Sequence, residues 1–308
     1  MNAVDTFDLQ GYSNSIAQTV EQAGRSVVAV KSAAYRVTSG VIFREDLVAV
    51  NNHILRREGP ITVQLGDGSQ QEAAILGRDP GLDLAVLWLK DVKLEVLDLE
   101  PEEGQRAGAL AIVVGRTIDS GLSASAGILG AVSGPRRTWR GGELHKFLRL
   151  DVNLYPSQAG AAVVSATGRF LGMATPALLR HSALAVPNET LNRIADELRR
   201  EGRIRQGYLG VGLQPVAIPE HLRSKSPAAG ESGLMVLSVE PGTGAEEAGV
   251  QLGDILIAFG DATLTDTETL MGALRGDAVG KPMKLTLIRA GNLMEITVHV
   301  ADKSSKRK

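Results

Sequence analysis

The feature that most narrows the fold is a succession of short apolar segments separated by chain breakers. Between residues 26 and 178 these read "SVVAVKS", "TSGVIF", "LVAVNNHIL", "ITVQLGDG", "EAAILGRD", "LDLAVLWL", "LAIVVGR", "ASAGILGAVSG", "FLRLDVNL", "AAVVSA" and "RFLGMATPAL". They are rich in Val, Ile and Leu, too short for helices, and bounded by Gly, Asp and Asn. Strands at this spacing predict an all-β barrel or sandwich. The Asp-Gly pair in "LGDGSQ" predicts a tight hairpin turn. Two helices flank the strands. "SIAQTVEQAG" places Ile16, Val20 and Ala23 at helical spacing and ends at Gly24. "PNETLNRIADELRREGR" does the same with Leu191, Ile194, Ala195 and Leu198, with Asn188 as the candidate cap and Gly202 as the stop.

Past this second helix the pattern changes. "YLGVGLQPV" reads as a strand, "HLRSKSPAAGESG" as a polar loop and "LMVLSVEPGTGAEEAG" as a strand, a turn and a short helix. "DILIAFGD" is a strand, "DTETLMGALRG" a helix, and "KPMKLTLIRAGNLMEITVHV" a hairpin around "RAGN". This makes a small α+β module. The expected plan is an N-terminal segment 1–14, a first domain 15–200, a linker 201–206, a second domain 207–302 and a basic tail 303–308.

Composition excludes several function classes. The chain is 44% hydrophobic and 22% charged, as expected for a globular protein with a sizeable core. Its net charge of −2 gives no bulk electrostatic case for nucleic acid or an anionic membrane. The absence of cysteine excludes disulfides, cysteine nucleophiles and thiolate metal sites. No two of the five histidines have ligand spacing, so neither a metal nor a cofactor is expected. No apolar run approaches the roughly 18 residues of a membrane span. The start "MNAVDTFDLQGYSNS" lacks the basic and apolar regions of a secretory signal. As written the chain reads as cytoplasmic, or as periplasmic if a leader was removed. The tail "KSSKRK" reads as a solvated terminus.

Among the histidines only His53 has an informative setting, at the end of the apolar strand in "LVAVNNHIL". Asp83 stands at the entrance of another, in "PGLDLAVLWL". Taken singly, each reads as structural, the Asp as a turn cap. Their order, followed by the small-residue loop "YPSQAGAA" at 155–162, is that of the double-barrel Ser-His-Asp hydrolases. Subtilisin-type and α/β-hydrolase chains use other orders.

These residues carry a resemblance. "AVNNHIL", "GRDPGLDLAVLWL", "DVNLYPSQAGAAVVSATGRFLGMAT" and "SALAVPNETLNRIADEL" resemble the motifs of the HtrA/DegP family, from about residue 15 to 301. The resemblance implies a mainly β fold, with two six-stranded barrels of trypsin-like type followed by an α+β PDZ domain. It makes His53 the general base, Asp83 its orienting partner and position 159 the nucleophile. The backbone of Ser157, Gln158 and Ala159 would form the oxyanion loop. Asn153, Leu154, Gly172, Met173 and Ala174 would line an apolar specificity pocket suited to aliphatic side chains.

Position 159 is alanine. Without a hydroxyl no acyl-enzyme forms there, and losing a serine nucleophile typically costs on the order of 10⁶ in turnover. Two readings of Ala159 stand open: an inactivating Ser→Ala change made so that substrate survives, and a natural pseudoprotease that binds without cutting. The family pattern runs roughly Gly-Asn-Ser-Gly-Gly-Pro. Here Ser157 replaces its first Gly, and Ala161 and Ala162 its last Gly-Pro. A Cβ at 157 hinders the inward turn of its N–H, which predicts a weaker or switchable oxyanion hole.

In the second domain "IRQGYLGVGL" is glycine-rich, but it lacks the Lys-Ser/Thr and the following helix of a phosphate loop. By resemblance, Tyr208, Leu209, Gly210 and Val211 form a PDZ carboxylate-binding loop, with Arg205 adding charge. Leu270, Met271 and Leu274 form the other wall or pack in the core. The implied partners are polypeptide substrates, unfolded or misfolded, and C-terminal peptides, in protein quality control. The resemblance also implies a homotrimer through Phe7 and Tyr12, although a frayed terminus is the alternative reading. The loop "SGPRRTWRGGELHKF", with Arg136, Arg137, Trp139 and Arg140, reads as a solvated loop, a nucleic-acid patch or, by resemblance, a regulatory loop.

Overall fold

The computed structural model describes residues 8–32, 37–55, 59–179, 182–205, 207–223, 230–275 and 278–302. Phe7, His181 and the tail 303–308 lie outside them. The chain divides into two compact units. The first takes the residues up to Thr138 and Gly142–Arg203, and the second Ile204 onward with Trp139–Gly141.

The first unit begins with α1 (Leu9–Gly24), which Asp8 caps by accepting from the Gly11 amide. Then come β1 (Val27–Lys31), β2 (Val37–Arg44), β3 (Leu47–Asn51), β4 (Ile61–Gln64), β5 (Gln70–Asp79) and β6 (Leu84–Trp88). They close into a barrel in the order β1-β2-β3-β6-β5-β4. Alternate residues point inward, so Val28, Val30, Val48, Val50, Ala85 and Leu87 share one core. The predicted Asp-Gly turn joins β4 to β5: Gly68 adopts φ 86° and Leu65 N–H donates to Ser69 O.

A second barrel follows. Its strands are β7 (Leu110–Thr117) and β8 (Gly121–Ser133), then β11 (Phe147–Asp151), β12 (Ala162–Val164), β13 (Phe170–Thr175) and β14 (Ala183–Val186). A small hairpin, β9 (Arg136–Arg137) with β10 (Glu143–Leu144), projects between β8 and β11. Closure runs β11-β14-β13-β12-β7-β8 around Val113, Leu129, Leu148, Val163 and Leu171. Arg116 on β7 ties this barrel to the first, donating to the carbonyls of Val27 and Gly24. Helix α2 (Asn188–Glu201) buries Leu191, Ile194, Ala195 and Leu198, as its spacing predicts, and Gly202 closes it at φ 72°. The cap differs from expectation. Pro187 occupies the N-cap and Asn188 is the first helical residue: Pro187 has φ −64° and an extended ψ of 155°, which keeps it outside the helix.

The second unit contains β15 (Gly207–Tyr208), β16 (Val211–Ala217), α3 (Glu220–Arg223), β17 (Ser232–Val239) and α4 (Gly244–Glu247). It continues with β18 (Ile255–Phe259), β19 (Ala262–Thr263), α5 (Thr267–Ala273), β20 (Pro282–Arg289), β21 (Asn292–His299) and β22 (Ala301–Asp302). The main sheet runs β16-β17-β18-β20-β21, and β15 pairs with β22. Leu234, Val236, Leu256, Phe259, Leu285 and Leu287 form its core. Two expectations change here. "YLGVGLQPV" is broken at Leu209–Gly210, where Gly210 takes φ 81° and leaves no room for a Cβ against Thr243. The predicted polar loop contains the short α3.

Candidate active site and peptide groove

In the first unit, β3 runs into a 3₁₀ turn, Asn52–Ile54, that carries His53. The turn Asp79–Asp83 between β5 and β6 carries Asp83, fully buried and at φ 51°. The two side chains meet. His53 Nδ1 lies 2.8 Å from Asp83 Oδ2 and 3.0 Å from Oδ1, and the His53 backbone N–H donates to Oδ1 at 3.0 Å. A carboxylate only accepts, so the proton sits on Nδ1 and Nε2 is left as the basic atom. Thr175 Oγ1 donates to Asp83 Oδ2 at 3.0 Å. Asp83 O in turn accepts from Asn52 N–H at 2.9 Å.

Thr175 ends β13, and the preceding residue links this pair to the small-residue loop. Ala174 O accepts from Gly160 N–H at 3.0 Å, immediately after Ala159. Gly160 is at φ 79°, and an added Cβ would collide with Ser39 O. Two hydroxyls of β2 hold the loop from the first barrel: Thr38 Oγ1 donates to Ala159 O at 2.6 Å and Ser39 Oγ to Ser157 O at 2.7 Å. Hydrogen bonds therefore join His53, Asp83 and Thr175, and the neighbouring Ala174 holds the loop just past Ala159.

Pro156–Gln158 is a 3₁₀ turn. Its hydrogen bonds run Gln158 N–H to Tyr155 O and Ala159 N–H to Pro156 O, the latter at 3.4 Å. The Gln158 side chain, wholly buried, caps the turn: Oε1 accepts from Tyr155 N–H at 3.2 Å and from Ser125 Oγ at 2.9 Å. The Ala159 amide thus points back into the turn. Of the five residues expected to line a pocket, Asn153 is exposed and Leu154 half-buried, while Gly172, Met173 and Ala174 are buried in β13.

Sequence reasoning did not single out Thr175, Thr38, Ser39 or the Gln158 side chain. Thr175 left a readable signal, as the polar end of the otherwise apolar "FLGMAT".

The second unit presents a groove between β16 and α5. Tyr208, Leu209, Gly210, Val211, Leu270, Met271 and Leu274 line it, joined by Leu213 and Thr267. Arg205 is not among its lining residues. Leu270 and Leu274 serve both roles weighed for them, since they are nearly buried and belong to the core as well. Met271 is 41% exposed and faces the groove. The Tyr208 hydroxyl is pushed up to about 12 by its hydrogen bond to Glu240, with burial adding to the effect.

Residues 38–173 match the trypsin-like peptidase domain family, and residues 207–300 match the PDZ domain family. The chain thus joins a segment that matches trypsin-like peptidase domains to one that matches PDZ domains. Curated proteins are similar over most of this length. A probable periplasmic serine endoprotease DegP-like of Chlamydia pneumoniae is 27% identical over 274 residues, 87% of this chain and 55% of that protein. One from Brucella suis is 29% identical over 272 residues, 85% and 52%. The periplasmic pH-dependent serine endoprotease DegQ of Escherichia coli is 27% identical over 268 residues, 84% and 58%. The chain spans little more than half the length of these relatives. Among solved structures, the serine endoprotease from Yersinia pestis superposes with a TM-score of 0.74 at 24% identity, covering 93% of this chain and 97% of that one. The HtrA-type protease AlgW with decapeptide gives 0.73 at 21% identity, covering 95% and 98%. At that identity the likeness speaks for the fold.

Proposed function

We propose that the chain is an HtrA-like serine endopeptidase of protein quality control, acting on unfolded or misfolded polypeptides, and that it is inactive as written because Ala159 stands at the nucleophile position. The observation that carries this reading is the chain of hydrogen bonds from His53 through Asp83 to Thr175, with Ala174 O holding the Gly160 amide beside Ala159. Asp83 fixes the Nδ1–H tautomer, so that His53 Nε2 takes a proton from a hydroxyl at 159 and returns it to the leaving amine. Once the turn at Pro156–Gln158 opens and frees the Ala159 amide from Pro156 O, the amides of 157 and 159 stabilise the oxyanion. The PDZ groove takes C-terminal peptides by pairing them with β16 beneath the loop at Leu209–Gly210. The reading expects a homotrimer through the N-terminal aromatics, of which Tyr12 is exposed on α1.

Restoring the hydroxyl tests the enzyme reading. Ala159→Ser is expected to label with a fluorophosphonate at position 159 and to cleave casein, with no labelling in the parent. An Ala159→Ser protein that neither labels nor cleaves overturns it.

One observation favours a second reading, a natural pseudoprotease that binds peptides through its cleft and PDZ domain. The Ala159 amide is committed to Pro156 O, and Gln158 caps that turn, so the loop is folded away from an oxyanion. Failure of labelling together with retained binding of unfolded polypeptide would select this reading.

A further inference from the structure

We propose that Thr138 is a positioning residue for Asp83: from the neck of the β9–β10 hairpin it fixes the Asp79–Asp83 turn, and with it the hydrogen bond between Asp83 and His53.

Asp83 holds a left-handed backbone conformation that L-residues seldom adopt outside an over-determined site. Part of the bracing is local. Asp79 Oδ1 accepts from Gly81 N–H at 2.8 Å, Leu82 N–H donates to Asp79 O at 3.2 Å and Asp83 N–H to Pro80 O at 3.3 Å. The last two are at the long end of the usual range. Asn52 N–H also donates to Asp83 O at 2.9 Å, and a further contact reaches the middle of the turn from outside. Thr138 is buried, and its Oγ1 donates to Gly81 O at 2.6 Å while accepting from Gly142 N–H at 2.9 Å. Both valences of the hydroxyl are used, one on the turn and one on its own hairpin.

Two further observations make this a clamp rather than a chance contact. Gly142 lies flat against the Gly81 peptide, and a Cβ there would collide with Gly81 O. The return strand of the hairpin is itself anchored to α2: His145 N–H donates to Thr190 Oγ1 at 2.9 Å, and Arg193 Nη2 to Glu143 O at 2.9 Å. Helix α2 is thus linked to the aspartate turn through the Thr138 hydroxyl and the packing of Gly142 on Gly81.

The test compares Thr138→Val, which keeps the shape and loses the hydroxyl, with Thr138→Ser, which keeps the hydroxyl. The first readout is the low-field proton resonance of His53 Nδ1–H, recorded on the protein with Ala159 in place. We expect Thr138→Ser to keep the parent signal and Thr138→Val to lose it to exchange. If Thr138→Val does not fold, Thr138→Ala removes the same hydroxyl without forcing a methyl against Gly81 O. The second readout rests on the endopeptidase reading. In the Ala159→Ser background, Thr138→Val is expected to lower kcat at least several-fold with KM unchanged, and Thr138→Ser to restore it. A hydroxyl-free variant that folds and keeps the His53 resonance overturns the proposal, as does loss of the resonance in Thr138→Ser. An inactive Ala159→Ser protein bears only on the endopeptidase reading, since the resonance is measured without it.

Discussion

Asp83 gathers donors from several directions: the backbone and ring of His53 and the hydroxyl of Thr175. An amide has one oxygen for these donors and sets its NH₂ against one of them. Asp83→Asn is therefore expected to flip His53 to the wrong tautomer. In an active Ala159→Ser background this predicts a loss on the order of 10⁴ in kcat with binding retained, read by steady-state peptide hydrolysis. The neighbouring loop carries a second prediction. With a Cβ at Ser157 and the Gln158 cap, the 3₁₀ turn is favoured over an open oxyanion loop. Adding Ser157→Gly to Ala159→Ser should raise kcat, because glycine reaches the inward N–H orientation without a steric penalty. Equal rates in the single and double variants would show that the turn opens regardless of residue 157.

Helix α5 shows how an element fixes a binding wall. Its N-cap Asp266 accepts from Thr269 N–H at 2.7 Å and Thr269 Oγ1 at 2.9 Å. Burial pushes the Asp266 carboxyl up, but these Thr269 hydrogen bonds outweigh it and hold the group below its ordinary 3.8. A depressed carboxyl stabilises the fold above the unfolded value, and the contribution disappears as pH falls through the lower folded value. Asp266→Ala should cost about 1 kcal/mol, read by thermal melting, and should weaken peptide binding by fraying the helix that carries Leu270 and Met271. Tyr208 has the opposite sign. Its hydroxyl is raised from 10.0 to about 12, so the stability it contributes is complete below pH 10 and lost on rising toward 12. Tyr208→Phe should flatten that alkaline loss.

For the whole molecule, each unit has its own core. Residues 204–302, made alone, should therefore unfold cooperatively and keep a dispersed NMR spectrum. The second unit also has an internal electrostatic anchor. Asp254 is 1% exposed and accepts from Arg289 Nε at 2.8 Å and Nη2 at 2.7 Å. Arg289→Ala leaves that carboxylate buried without its counter-ion and should cost roughly 3 kcal/mol, seen as a lower urea midpoint for the isolated unit.

The sequence by itself determined the periodicities, and these carried most of the fold. Alternating Val, Leu and Ile segments can bury one face only as strands, and the 188–201 spacing makes only a helix with one apolar side. His53, Asp83 and Ala159 were singled out by their order and flanking motifs, and the structure joins the first two by hydrogen bonds. Barrel closure decided what acts on them. Thr38 and Ser39 reach the loop at 157–159 across more than a hundred residues, Thr175 reaches Asp83 over 92, and Thr138 reaches Gly81 over 57. Such pairings leave no local signature, because a hydroxyl in a strand or hairpin looks the same whether it meets water or a buried carboxylate. The 3₁₀ turn at 156–158 was settled in the same way: Gln158 caps it with a side chain whose partner Ser125 is supplied by β8.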